Sequence, residues 1–169
     1  MMQELLVKTG VPSYTTNFVS PIPTVAQTQI QIAKNIPQQV GYIYGLTILT
    51  DSASPGNQTL ITLAQAQNLY IVLKDGPTEF FQQVRLDQMT QTLAGFPNLN
   101  PNYYMPVNIP GYFDLSTSYY QNPTGIVSVE VTSVILLQLW FISTESYKWL
   151  MKKNYIDPTY AQDFIDAKR

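Results

Sequence analysis

The apolar runs of this chain are short, and that constrains its fold more than any other feature. The longest, residues 134–142 (VILLQLWFI), is interrupted by Gln138. It falls well below the roughly 18 apolar residues of a membrane-spanning helix and has the length of a buried strand. Other runs alternate. In residues 24–35 (TVAQTQIQIAKN), Ala26, Thr28, Ile30 and Ile32 lie on one side and Gln27, Gln29 and Gln31 on the other. In residues 126–132 (IVSVEVT), Val127, Val129 and Val131 oppose Ile126, Ser128, Glu130 and Thr132. A period of two predicts strands with one buried face. Residues 39–51 (QVGYIYGLTILTD) are rich in β-branched and aromatic side chains and read as another strand. Gly41 and Gly45 within it mark a bulge or a close backbone approach.

Turn formers separate these runs. Residues 52–57 (SASPGN), Asp75-Gly76-Pro77 and Asn122-Pro123-Thr124-Gly125 read as turns, with strands at 69–74, 79–84 and 112–119. Leu86, Met89, Thr90 and Leu93 have helical spacing and predict a short helix. Residues 60–67 fit one helical turn with Thr62 as N-cap. Residues 1–9 fit a short strand or a helical turn. Residues 95–111 contain Pro97, Pro101, Pro106 and Pro110 without periodicity and read as a long loop. Seven or eight short strands with one small helix make an all-β sandwich or barrel. The expected organisation is an extended N-terminal arm over 1–23, punctuated by Gly10, Pro12, Pro21 and Pro23, a β-sandwich over 24–143, and a helical basic tail over 144–169. No internal repeat is visible, and 169 residues are one domain's worth of chain.

Composition narrows the function. The chain has no His and no Cys. This removes the commonest general base, the thiolate nucleophile and the usual zinc ligands, so Ser-His-Asp, Cys-His and HExxH sites are excluded. Most of the acids, Asp51, Asp75, Glu79, Asp87, Asp114 and Glu130, stand singly between predicted elements, where turn duties are their ordinary role. No calcium loop, phosphate loop or dinucleotide fingerprint is present. The expectation is a protein that is not an enzyme and holds no metal or cofactor. Net charge is −2, with no basic groove for phosphates, so no specific nucleic-acid partner is expected. The first ten residues lack the apolar core of a signal peptide, so the Asn57-Gln58-Thr59 glycosylation pattern carries little weight. Charged residues are 12 % of the chain, about half the usual share of roughly 25 %. A surface of neutral polar groups repels its neighbours weakly, which suits an assembly subunit.

Tyrosine is the most frequent aromatic, with 12 copies. Tyr103-Tyr104 and Tyr119-Tyr120 are hard to bury as pairs and flank the proline-rich loop, so a subunit interface is expected there. A carbohydrate platform is the rival use. The tail holds five of the nine basic residues, with Tyr147, Lys148, Trp149, Lys152 and Lys153 interleaved. Those five are candidates for contact with a membrane or a partner; packing on the chain's own domain is the alternative.

Residues 40–51 (VGYIYGLTILTD), 69–89 (LYIVLKDGPTEFFQQVRLDQM) and 112–142 (YFDLSTSYYQNPTGIVSVEVTSVILLQLWFI) together resemble single-jelly-roll capsid proteins of icosahedral, lipid-containing phages. The shared pattern is a strand ending in Asp, a hairpin, a short Arg-Leu-Asp helix and a closing apolar strand, covering residues 24–143. It has no signature residues, so none is carried over. The resemblance implies a single jelly-roll β-sandwich acting as the homopentameric penton at the five-fold vertices of a virion. Its partners would be copies of itself, other capsid proteins, and an inner viral membrane or a spike protein. The alternative is a carbohydrate- or receptor-binding β-sandwich module of a phage spike.

Overall fold

A computed structural model describes residues 2–23, 28–32, 39–50, 60–75, 78–91, 103–111, 117–123 and 134–156, the side chains of 28, 75, 78–82 and 110 excepted. The chain runs α1 (Met2–Thr9), β1 (Tyr14–Pro21), β2 (Thr28–Gln31), β3 (Val40–Leu49), α2 (Leu63–Ala66), β4 (Tyr70–Asp75), β5 (Thr78–Arg85), β6 (Met105–Pro110), β7 (Tyr119–Asn122), β8 (Val134–Ser143) and α3 (Thr144–Lys152). A 3₁₀ turn at Leu86–Met89 follows β5. The strands form two antiparallel four-stranded sheets, ordered β1-β8-β3-β6 and β2-β7-β4-β5. The chain is therefore an all-β sandwich with few short helices.

The main core lies between the sheets. From the first sheet, Phe18, Ile43, Leu46, Ile48, Ile135, Leu137, Leu139 and Phe141 point inward; Ile71, Leu73 and Tyr120 meet them from the second. In β8 burial alternates along the strand, the period-two signature of a strand with different neighbours on its two faces. Leu69, Leu86 and Met89 close the core beside α2. There Thr62 caps the helix: its Oγ1 accepts from Gln65 N at 3.1 Å while Thr62 N donates to Gln65 Oε1 at 2.9 Å. Two reciprocal bonds let a four-residue helix persist.

Two expectations give way to strands. The proposed arm over 1–23 contains β1, whose residues pair one for one with β8 from Tyr14↔Phe141 to Pro21↔Val134. Between Pro12 and Pro21 no residue lacks an N–H, and Phe18 and Ser20 turn inward while Val19 turns out. Residues 105–110, expected within a loop, form β6 on the outer edge of the first sheet. An edge strand tolerates Pro106 and Pro110 because one row of its N–H groups needs no partner. The strand expected at 112–119 is observed at Tyr119–Asn122, and 112–116 lie outside the described residues. So do the expected strand over 126–132, the turn at 52–57 and residues 95–102 of the expected loop.

The glycines of β3 behave as expected. The register of β3 against β8 shifts between Val40 and Tyr42 and between Ile43 and Gly45. A Cβ on Gly41 would lie 2.6 Å from Ser143 O, and one on Gly45 would collide with the ring of Tyr104. The second bulge turns both Tyr42 and Tyr44 to the outer face, where they join a second apolar cluster with Leu6, Ile142, Tyr147, Leu150 and Met151. Helices α1 and α3 cover that face. Gly45→Ala is expected to push Tyr104 off the strand and cost about 1–3 kcal/mol in chemical denaturation; an unchanged midpoint would show that the ring moves away without cost.

Candidate interaction surfaces

The outer face of the first sheet carries an aromatic packing around Gly45. The Tyr104 ring stands edge-on to Tyr44 at 5.3 Å and tilted to Trp140 at 5.4 Å. Trp140 Nε1 donates to Thr47 Oγ1 at 3.0 Å, and Thr47 Oγ1 donates to Tyr103 O at 2.7 Å. The Tyr103 hydroxyl donates to Gln88 O at 3.0 Å. Ser13 and the Tyr44 hydroxyl are also hydrogen-bonded. Burial raises the pKa values of Tyr44, Tyr103 and Tyr104 above that of free tyrosine. Tyr103 and Tyr104, expected at a subunit interface, are thus half-buried and tied to their own domain. Sequence gave no means of seeing this, because the partner of Tyr104 is a glycine 59 positions away.

The second tyrosine pair splits. Tyr120 points into the core and is wholly buried, so it is not a contact residue. Its hydroxyl has no hydrogen-bond partner among the described residues, and burial drives its pKa far above the usual value. Tyr119 faces outward, with Lys74 Nζ 5.8 Å from its ring centroid. Adjacent residues of one strand point to opposite faces, which is why a Tyr-Tyr dipeptide in β7 cannot present both rings.

Tyr119 belongs to a polar-aromatic face that the sequence did not reveal. Register sets Gln29 of β2 opposite Gln121 of β7, Gln121 opposite Tyr70 of β4, and Tyr70 opposite Arg85 of β5. One row, Gln-Gln-Tyr-Arg, therefore crosses all four strands. A second row runs Gln31, Tyr119 and Val72. Arg85 is held by Asp87, with Nε donating to Oδ1 at 2.6 Å and Nη2 to Oδ2 at 2.8 Å. Asp87 is buried, so a fixed carboxylate orients the guanidinium of a side chain that remains partly accessible. The face presents the exposed amides of Gln29 and Gln31, two phenol rings and two cations, Arg85 and the Lys74 ammonium beside Tyr119. Among the described residues no group of three or more acidic, His or Cys side chains is placed to hold a metal ion.

Helix α3 forms the remaining candidate. Ser143 caps it, its Oγ accepting from Ser146 N at 3.1 Å. Tyr147, Leu150 and Met151 are buried against the first sheet, with Tyr147 stacked on Tyr42 at 5.1 Å and 6°. Tyr147 is therefore a packing residue, contrary to its expected contact role, while Lys148, Trp149, Lys152 and Lys153 are exposed. No helix among the described residues is long and apolar enough to cross a membrane. Residues 157–169 of the expected tail lie outside the described residues.

No family model, curated protein or solved structure matches this chain.

Tyr120→Phe removes a buried hydroxyl that has no partner among the described residues. Stability at neutral pH is expected to stay level or rise by about 1 kcal/mol. A free tyrosine in the unfolded chain ionises near pH 10, whereas Tyr120 in the fold does so only at higher pH. The unfolded state therefore gains as pH climbs past roughly 10, and native stability falls there. The Phe variant is expected to lose less stability than the parent between neutral and strongly alkaline pH, measured by urea titration at each pH.

Proposed function

We propose that this chain is a viral structural protein, a single jelly roll that forms the penton at the five-fold vertices of an icosahedral capsid and acts through subunit contacts rather than chemistry. The observation that carries the reading is the strand order. First pairs with last, β2 with β7, β3 with β6 and β4 with β5. An antiparallel hairpin of four strands against four, rolled up so that its ends wrap into two sheets, produces these pairings. Eight-stranded double sheets of this kind recur in viral capsid and lectin domains. The low charge of the chain favours the capsid use, because neighbouring copies meet with little repulsion. A heterologous contact repeated around a five-fold axis closes into a ring without any residue pairing with itself. The second sheet, with its Gln, Tyr and Arg rows, offers polar and aromatic groups to other capsid proteins or a spike. The location that follows is the virion.

The same rows favour a second reading, a carbohydrate- or receptor-binding module. Planar rings beside amide and guanidinium donors suit sugar hydroxyls, and lectin domains use the same kind of sandwich. A fold does not choose between such uses.

Native mass spectrometry and electron microscopy of the purified protein at high concentration separate the two. Five-membered rings are expected. A stable monomer that never enters rings or shells, together with Tyr119-dependent binding on a glycan array, would favour the second reading and defeat the first.

A further inference from the structure

We propose that the outward face of α3 is a docking site for the surface of an anionic lipid bilayer. Trp149 and Tyr155 remain 42 % and 45 % exposed although both are large aromatic residues. They stack on each other, with centroids 6.2 Å apart and planes inclined by 26°. Lys148, Lys152 and Lys153 are exposed beside them on the same turn-and-helix segment, with Glu145 the one acidic residue of α3.

The plate is built rather than accidental. After Lys153 the chain reverses through Asn154, whose φ is 61°. Asn154 N donates to Met151 O at 2.9 Å, and Tyr155 N donates to Leu150 O at 2.9 Å. These are the paired bonds of a Schellman cap, with asparagine taking the left-handed position usually given to glycine. The cap folds Tyr155 back onto Trp149. On its other side α3 is fixed by Tyr147, Leu150 and Met151, so the plate is presented on a rigid base with no second apolar face free to insert.

Charge and chemistry name the occupant. Trp and Tyr combine an apolar ring with a polar tip and settle at the headgroup level of bilayers. Lysines are strongly hydrated point charges suited to diffuse phosphate layers and are depleted in protein–protein interfaces. Residues 1–143 hold four basic and seven acidic side chains. An anionic surface therefore repels most of the protein and attracts this face, which fixes the orientation as well as the contact. The inference stands on α3 alone and does not depend on the capsid reading; a ring of copies would multiply the contact.

The test is co-sedimentation of the full chain with phosphatidylcholine vesicles, with and without phosphatidylglycerol. Binding is expected only to the anionic vesicles and is expected to weaken as salt is raised. Replacing the three lysines together (Lys148→Gln, Lys152→Gln, Lys153→Gln) is expected to weaken it by on the order of a hundredfold. Asn154→Gly keeps the cap and is expected to bind as the parent does. Asn154→Pro cannot adopt the positive φ and is expected to bind less tightly with the charge unchanged. Brominated lipid is expected to quench Trp149, a signal lost in Trp149→Phe and kept in Trp140→Phe. Circular dichroism checks that each variant folds, and the quenching of the parent protein needs no variant. Absence of binding to anionic vesicles, or binding that ignores the lysine replacements, overturns the proposal. So does a lysine variant that binds vesicles normally but dissociates an oligomer, because the face then covers another copy. Vesicle binding by a protein that forms no rings leaves this inference standing and removes the penton reading.

Discussion

Strand β8 holds the molecule together because its two faces serve different clusters. Ile135, Leu137, Leu139 and Phe141 point into the space between the sheets, whereas Ile142 joins the cluster beneath the helices and Trp140 packs against it. Its backbone is bonded on both edges, to β1 and to β3. Each inward leucine removed from such a core costs about 2–5 kcal/mol. A shift of one residue in this strand would send the inward set outward and expose both clusters at once. The bulges in β3 are what reconcile its pairing to β8 with the outward placement of both Tyr42 and Tyr44. Without the extra residue at Gly45, Tyr44 would sit on a strand too regular to meet Tyr104.

The sequence carried the strands best where one residue type dominated one face. Residues 134–143 read directly as β8, and the glycine signals in 40–49 marked real register shifts. Thr62 was legible as a cap because the capping box is written in a four-residue window. The hidden elements were those whose stability comes from a distant partner. β1 is polar and bracketed by prolines, and its backbone pairing along the edge of β8 makes it a strand. β6 contains two prolines and survives because it sits at an edge. The site residues were legible in kind and not in direction. Tyr103, Tyr104, Tyr119, Tyr120 and Tyr147 were visible as aromatic anchors, but which face each ring takes depends on strand phase and on where β3 bulges. The Gln-Gln-Tyr-Arg row was invisible because its four members lie on four strands and meet only through register.

The two sheets finish their outer faces differently. The first is roofed by α1 and α3, and its aromatic side chains pack under them. The second shows glutamines, tyrosines and an arginine aligned by a buried aspartate. Neutral amides and phenols accept many hydrogen-bonding patterns, so such a face can meet a partner without a large electrostatic desolvation penalty. The difference between the faces gives the sandwich a polarity that its nearly neutral net charge does not suggest.

The pairing of β1 with β8 also has a consequence in time. The first sheet is made of strands drawn from far-separated parts of the sequence, and its central strand is the last to be synthesised. Until residue 143 has left the ribosome, β1 and β3 have no strand between them, and half the core has no lid. Folding of this sandwich therefore waits for β8 and is dominated by non-local contacts, which makes it correspondingly slow. Until then, the unpaired edges of β1 and β3 must be kept from other chains. A sandwich whose first sheet is completed by β8 thus passes through a stage in which contact with other chains is a hazard.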